Sequence, residues 1–433
     1  IRHIYDNYSI NIHTEEDYIF KYCCFNGHLD IAKWIYNLDN DIKIVDLRLN
    51  EFFTFEYVII KGYLDIYKWL IGISDKVDIN DIEYHFRLCC EKGHIDIAKW
   101  IFANYTFDIH NYDNDEFCFN IACEKGYVNM AKWLYEVNDT YPVDIYNENN
   151  YPFRISCENG HLELVKWLYT LGNVNVNGMY CFKYACRNGH LDIVKWLYSL
   201  PNTNIPIPYE NHYCFKYACV NGHYNVVLWL FDLYYAREEN KSKINSIKIN
   251  NIFNQTLENG NFLVVKWIHA TYKIDVLDTS FKIICTTGFL TLCKWIKELY
   301  DRDGRCLEND TVVQSFINAC INNHLYVSKW LYLNFSEIIS NIDTVNIIKL
   351  FNDSCRHGSK EVVIWLYSVY KDKFPKDTTF NYAFRHCCRC NHYDIANWIY
   401  NLNVPLDISN YNNYAFRRSC RCGNLKIIKW LYE

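Results

Sequence analysis

Proline and glycine are scarce, at 7 and 15 residues in a chain of 433. That scarcity excludes a collagen-like fibre and a proline- or glycine-rich disordered chain. No uncharged apolar run approaches the roughly 18–20 residues that cross a bilayer, so no membrane segment is expected. A signal-peptide pattern is missing, as is an initiating Met, and the N-terminus reads as trimmed. There is no glycine-rich phosphate loop, no His-Glu-x-x-His and no nucleophile elbow. The chain therefore reads as non-enzymatic, with no catalytic residue and no cofactor.

What is present is apolar and aromatic. Half the residues are hydrophobic and 18% are aromatic, ample for a large core. The 21 cysteines are an odd number in a long chain, which does not suit a short secreted disulfide scaffold. One Asn-x-Thr triplet, at Asn254, falls where a helix is expected. The thiols read as reduced and the chain as cytoplasmic, with the nucleus as an alternative. Charge is unevenly spread. Residues 1–170 hold 15 Lys and Arg against 28 Asp and Glu, whereas residues 171–433 hold 29 against 22. Such asymmetry bears on partners rather than on fold.

Tryptophan organises the rest. The thirteen Trp lie at 34, 69, 100, 133, 167, 196, 229, 267, 295, 330, 365, 398 and 430, at a mean interval of 33 residues. Counted from each Trp, position −14 is always Phe, from Phe20 to Phe416. Position −10 is Cys in eleven repeats, with Ile59 and Leu257 in the others. Position −7 is Gly in eleven, with Asn323 and Asn391 in the others. Thirteen units of this length leave no room for another domain, and residues 1–433 read as one solenoid.

The columns spell a helix pair. Phe at −14 and Cys at −10 share one face of a first helix, four residues apart. Gly or Asn at −7 ends it in the left-handed conformation. An acid three residues later (Asp30, Asp65, Asp96, Glu163, Asp192, Glu361 and Asp394) sits at the start of a second helix. Apolar residues at −3, the Trp itself and +1 form that helix's expected buried stripe. Neither stripe is buried within one unit, so neighbouring units stack. Residues 1–8 read as the tail of an earlier repeat, with His3 at a Trp position. The chain stops inside a second helix, so the expectation is an excerpt of a longer array, or ends covered by further repeats or copies.

The columns of Phe182–Leu200, "FKYACRNGHLDIVKWLYSL", resemble the ankyrin repeat. Segments such as "KVDIND" at Lys76, "TFDIHN" at Thr106, "PVDIYN" at Pro142 and "VPLDIS" at Val404 resemble its hairpin. The resemblance implies an all-α α-solenoid of helix-turn-helix repeats, with some short β-hairpin or extended loops between them. The family's Thr-Pro-Leu-His opening is absent, leaving only Pro152. Phe, Cys and Trp stand where it has Leu, Ala and Leu, a variant that resembles the ankyrin proteins of giant viruses of amoebae, the mimivirus group. That implies a viral protein engaging host factors, in the host cytoplasm, the nucleus or the virion.

Three constellations carry possible function. A His follows the Gly or Asn seven times (His28, His94, His161, His190, His223, His324 and His392), which reads as structural, since a catalyst needs one site. The cluster "HCCRCNH" at His386 with "SCRCG" at Ser419 places Cys390 and Cys422 outside the core column, with Cys388 and Cys420 in it. No metal site is assigned, because adjacent helices stand about 8–10 Å apart. The third is a basic ladder at −13 and −9 of the first helix. Repeats 3 and 5 carry the neutralising pairs Arg87–Glu91 and Arg154–Glu158. Repeats 6, 12 and 13 carry Lys183–Arg187, Arg385–Arg389 and Arg417–Arg421, like-charged neighbours that disfavour the helix by about 0.2–0.5 kcal/mol each. Arg356 and Arg418 extend the group. Arg385, Arg389, Arg417 and Arg421 are expected to be exposed.

The resemblance places the first helices on a concave, partner-facing side. The expected function is a protein-interaction scaffold whose ladder holds an acidic segment of a protein partner. Binding of nucleic acid or another polyanion is the alternative, and an architectural, self-assembling role a third.

Overall fold

The computed structural model describes residues 18–38, 53–74, 77–107, 116–137, 143–172, 179–201, 209–235, 246–374, 379–402 and 404–433. The expectations for His3 and residues 1–8 lie outside them.

The chain is an all-α helical-repeat solenoid, and it forms two compact units, Ile1–Pro206 and Ile207–Glu433. The first contains repeats 1–6, from the pair Tyr18–Phe25 and Leu29–Leu38 to the pair Met179–Asn188 and Leu191–Ser199. The second contains repeats 7–13, from Tyr209–Val220 and Tyr224–Leu230 to Asn410–Arg421 and Leu425–Tyr432, with an extra short helix at Ser336–Ser340. Within each unit, every first helix packs on the first helix of the next repeat.

Phe at −14 is buried in twelve repeats, and only Phe416 is partly open. Position −10 is fully buried from Cys24 to Cys388, but Cys420 is exposed. The expected core place of Cys420 is thus corrected. Within each unit this column lies against the following first helix. Small residues at −11 and −10 bring consecutive first helices close enough for side chain to bond backbone. Ser419 Oγ donates to the Cys388 carbonyl at 3.0 Å, and Ser156 Oγ to that of Cys123 at 3.3 Å.

The tryptophans also need correction. Twelve are half-buried and only Trp295 is buried. From repeat 2 to repeat 12 the buried stripe is −3, −2 and +1, as in Leu164, Val165 and Leu168. The Trp instead reaches back over the preceding repeat. Trp133 lies 6.1 Å from Phe86 and meets Phe102 edge-on at 5.9 Å. Tyr332–Trp365 and Tyr367–Trp398 repeat the edge-on contact at 5.7 and 5.5 Å. Such contacts add about 0.5–1.5 kcal/mol beyond burial.

The recurring His is a second tie between repeats. His94, His161, His190, His324 and His392 each bond through Nε2 to a carbonyl at −9 of the preceding repeat, at 2.8–2.9 Å. Asn261 and Asn424 do the same through Nδ2. The side chain at −6 therefore lies across the glycine that ends the previous first helix. At Gly160 a Cβ would stand 2.5 Å from His190 Nδ1, and its φ is +89°. Glycine is required there twice, for the left-handed backbone and for the ring above it.

Among the described residues there is no β-strand, so no hairpin is seen. Of the segments compared with one, residues 77–78, 143–146 and 404–409 lead directly into the next first helix. Asp78 caps the helix Ile79–Lys92 reciprocally with Asp81. Elsewhere the leader is fastened to the repeat before it: Asp144 N donates to Glu116 Oε1, Glu308 N to Asp278 Oδ2 and Asp407 N to Asn381 Oδ1.

Candidate interaction surface

Six of the eight ladder residues lie on three consecutive first helices of the second unit. Arg356 is in the last turn of Thr344–His357, Arg385 and Arg389 are on Thr379–Arg389, and Arg417, Arg418 and Arg421 are on Asn410–Arg421. These three helices pack directly on one another. Arg356, Arg389, Arg417 and Arg421 are exposed. Arg385 is half-buried rather than exposed, because it lies over the Tyr414 ring at 5.9 Å. Arg418 lies over the same ring at 5.3 Å. Arg417 Nε donates to the Asn412 carbonyl at 2.7 Å.

His386 reports the field. Its ring packs on Tyr382 with centroids 4.3 Å apart, and Nδ1 is shielded without a hydrogen-bond partner among the described residues. Burial lowers its pKa below the ordinary histidine value, and Arg389, Arg356 and Arg385 lower it further against an opposing Asp353. Three guanidinium groups from two repeats thus act on one imidazole. Among the described residues no carboxylate pairs with Arg356, Arg389, Arg418 or Arg421.

Lys183 and Arg187 belong to the first unit, on Met179–Asn188. Their setting is aromatic. Tyr180 and Tyr184 stack at 4.1 Å, Arg154 lies 4.2 Å over Tyr180, and Arg187 lies 5.8 Å from Tyr184. Glu158 accepts a hydrogen bond from Tyr180 Oη at 2.8 Å, and Glu91 one from Lys92 Nζ at 2.7 Å. The carboxylates of the expected neutralising pairs therefore also serve other donors.

One signal went unread in the sequence. Position −16, four residues before the −12 position on the same helix face, is Tyr or Phe in every one of repeats 1–7. It becomes Asn251, Thr279, Gln314 and Lys349 in repeats 8–11, then Tyr382 and Tyr414 in the last two. An aromatic ring at this position therefore shares the helix with Arg385, Arg389, Arg417, Arg418 and Arg421, but not with Arg356. Phe117 and Tyr382 are 46% and 43% exposed, more than the core needs. Cys390 is half-buried and Cys422 exposed, and among the described residues no group of three His, Cys, Asp or Glu side chains is disposed to hold a metal. No described helix is long and apolar enough to cross a membrane.

No curated protein matches the sequence. Among solved structures the chain is similar to the pentatricopeptide repeat protein PPR10 from maize, at 9% identity and a TM-score of 0.26. That likeness covers 100% of this chain, which spans 64% of the other. A family model of ankyrin repeats, in three copies, matches residues 86–177, 119–208 and 153–243.

Proposed function

We propose that the chain is a non-enzymatic protein-interaction scaffold and that its C-terminal first helices hold an acidic segment of a partner protein. The carrying observation is the placement of Arg356, Arg385, Arg389, Arg417, Arg418 and Arg421 on three first helices that pack on one another, with no described carboxylate partner for Arg356, Arg389, Arg418 or Arg421. Like charges on neighbouring turns oppose the helix weakly, and a partner's carboxylates would relieve them. Ankyrin repeats generally mediate protein–protein contact, which supports a protein partner on the helix surface. The Phe/Cys/Trp columns resemble those of giant-virus ankyrin proteins, which supports a host protein as that partner and the host cytoplasm as the place.

A second reading has its own observation. Tyr382, His386 and Tyr414 interleave with the arginines, and rings beside guanidinium groups suit stacked bases of single-stranded nucleic acid.

The test compares the chain with a variant carrying Arg385, Arg389, Arg417 and Arg421 changed to Glu, its fold checked by thermal unfolding. A Glu-rich peptide bound by the parent and lost by the variant supports the scaffold. Binding of oligo-dT instead, falling steeply with salt, supports nucleic acid. Equal behaviour of parent and variant removes both.

A further inference from the structure

The second unit contains a groove of different chemistry, away from the arginines. It runs between the second helix of repeat 9 (Leu290–Arg302), the first helix of repeat 10 (Asn309–Ile321) and the short helix Ser336–Ser340. Its volume is about 1030 Å³, the size of a large ligand site. The apolar lining is Val313, Ile317, Phe335 and Ile338, each only partly covered.

The polar lining is unevenly satisfied. Its cations are already neutralised: Lys297 pairs with Asp301 at 2.7 Å, and Arg305 with Asp275 at 2.9 Å. Its anions are not. Among the described residues Asp310 and Glu337 have no cationic partner, although both line the groove. Asp343, which caps the helix Thr344–His357, accepts from the amide and carboxamide of Asn346. The carboxamides of Asn309, Gln314 and Asn341 make no hydrogen bond with described residues, and Arg305 Nε is shielded without an acceptor.

We infer that this groove binds an extended peptide segment that alternates aliphatic side chains with Lys or Arg. The aliphatic side chains meet the apolar lining, where each buried methylene contributes favourably. Carboxamides offer both a donor and an acceptor, the pair that a peptide unit presents. The unpaired carboxylates of Asp310 and Glu337 are exposed at the groove's edge, where they favour a cationic guest. This site does not rest on the acidic-partner reading, and the two prefer guests of opposite charge.

The groove carries its own reporter, because Cys306 lines it and is exposed. Panning displayed random heptapeptides on the whole chain, with counter-selection on the Asp310→Lys/Glu337→Lys variant, tests the inference. Expected is enrichment of Lys/Arg–aliphatic sequences. As synthetic peptides these should slow alkylation of Cys306 by tenfold or more, leave Cys420 and Cys422 at their parent rates, and still bind an Arg389→Glu/Arg421→Glu variant. No enrichment over the counter-selected variant, or enriched peptides that leave Cys306 fully reactive, would overturn it. Matching unfolding profiles of parent and Lys variant separate lost charge from lost fold.

Discussion

Tyr67 Oη and His85 Nδ1 are 3.1 Å apart in the core between repeats 2 and 3, and both side chains are almost wholly buried. Elsewhere in the first unit the position of Tyr67 holds Ala or Val, and that of His85 holds Ile19, Thr54, Cys118, Pro152 or Cys181, so Ala98 and Cys118 or Val165 and Cys181 stand where this pair does. The larger polar pair satisfies itself and needs no water. Burial pushes the His85 pKa down to about 4.

The sign of the resulting pH dependence is fixed. An unfolded histidine titrates near 6.5, so between that value and about 4 the unfolded chain holds the extra proton. Stability from this site is complete above pH 6.5 and is lost as pH falls toward 4, by up to roughly 3 kcal/mol. Thermal unfolding at pH 7.5 and 5 should show a larger drop for the parent than for a Tyr67→Phe/His85→Leu variant. Equal drops would mean that the imidazole is not sealed.

Two glycines separate backbone strain from the ring above it. Gly160 and Gly172 have φ of +89° and +93°, yet only at Gly160 would an added Cβ meet a neighbour within 4 Å. Gly172→Ala should lower stability by about 1–2 kcal/mol, the left-handed penalty alone. Gly160→Ala should lower it further by displacing His190. Equal losses would count against the contact.

Asparagine should replace the tying histidine. His324 Nε2 bonds the Thr286 carbonyl at 2.9 Å, the bond that Asn261 makes to Val220 at 2.6 Å. His324→Ala should cost about 1–3 kcal/mol by leaving an acceptor unpaired, and His324→Asn much less. Hydrogen exchange at the end of the helix Asp278–Thr287 would read the difference directly.

Thiol chemistry should be confined to few sites. Seventeen cysteines are buried, Cys390 is half-buried, and Cys306, Cys420 and Cys422 are exposed. Burial raises the pKa of Cys24 and of Cys320 to about 12, which removes their reactive thiolate. A maleimide at pH 7.5 should label three or four thiols of the native chain and all 21 after denaturation. Rapid labelling of more than four would refute the packing.

The helix pair was legible because its columns recur thirteen times, so local noise averages out. The Gly and Asn ends were legible because few residues tolerate a positive φ, and Asn323 and Asn391 adopt φ of 60° and 64°. The depth of Trp was not. An indole is large enough to look like core, and only the stacking direction shows that it bridges to the repeat before it. Cys420 misled for a related reason: a column conveys which face a residue occupies, not whether a neighbour covers it. The arginines could be gathered by register, but their convergence on His386 needed the contact between repeats 11 and 12. The groove was illegible, since it depends on connectors whose lengths break the period.

The tie at −6 always takes a main-chain oxygen. Its acceptors belong to Ile60, Glu124, Glu158, Val220, Thr286, Ile321, Arg356 and Arg389. Aliphatic, acidic, hydroxylated and basic residues serve equally, because the bond never consults the side chain. The same residues therefore glue the stack with one set of atoms and face outward with another. Mutation can rewrite the outward set, one position at a time, without the array losing its register.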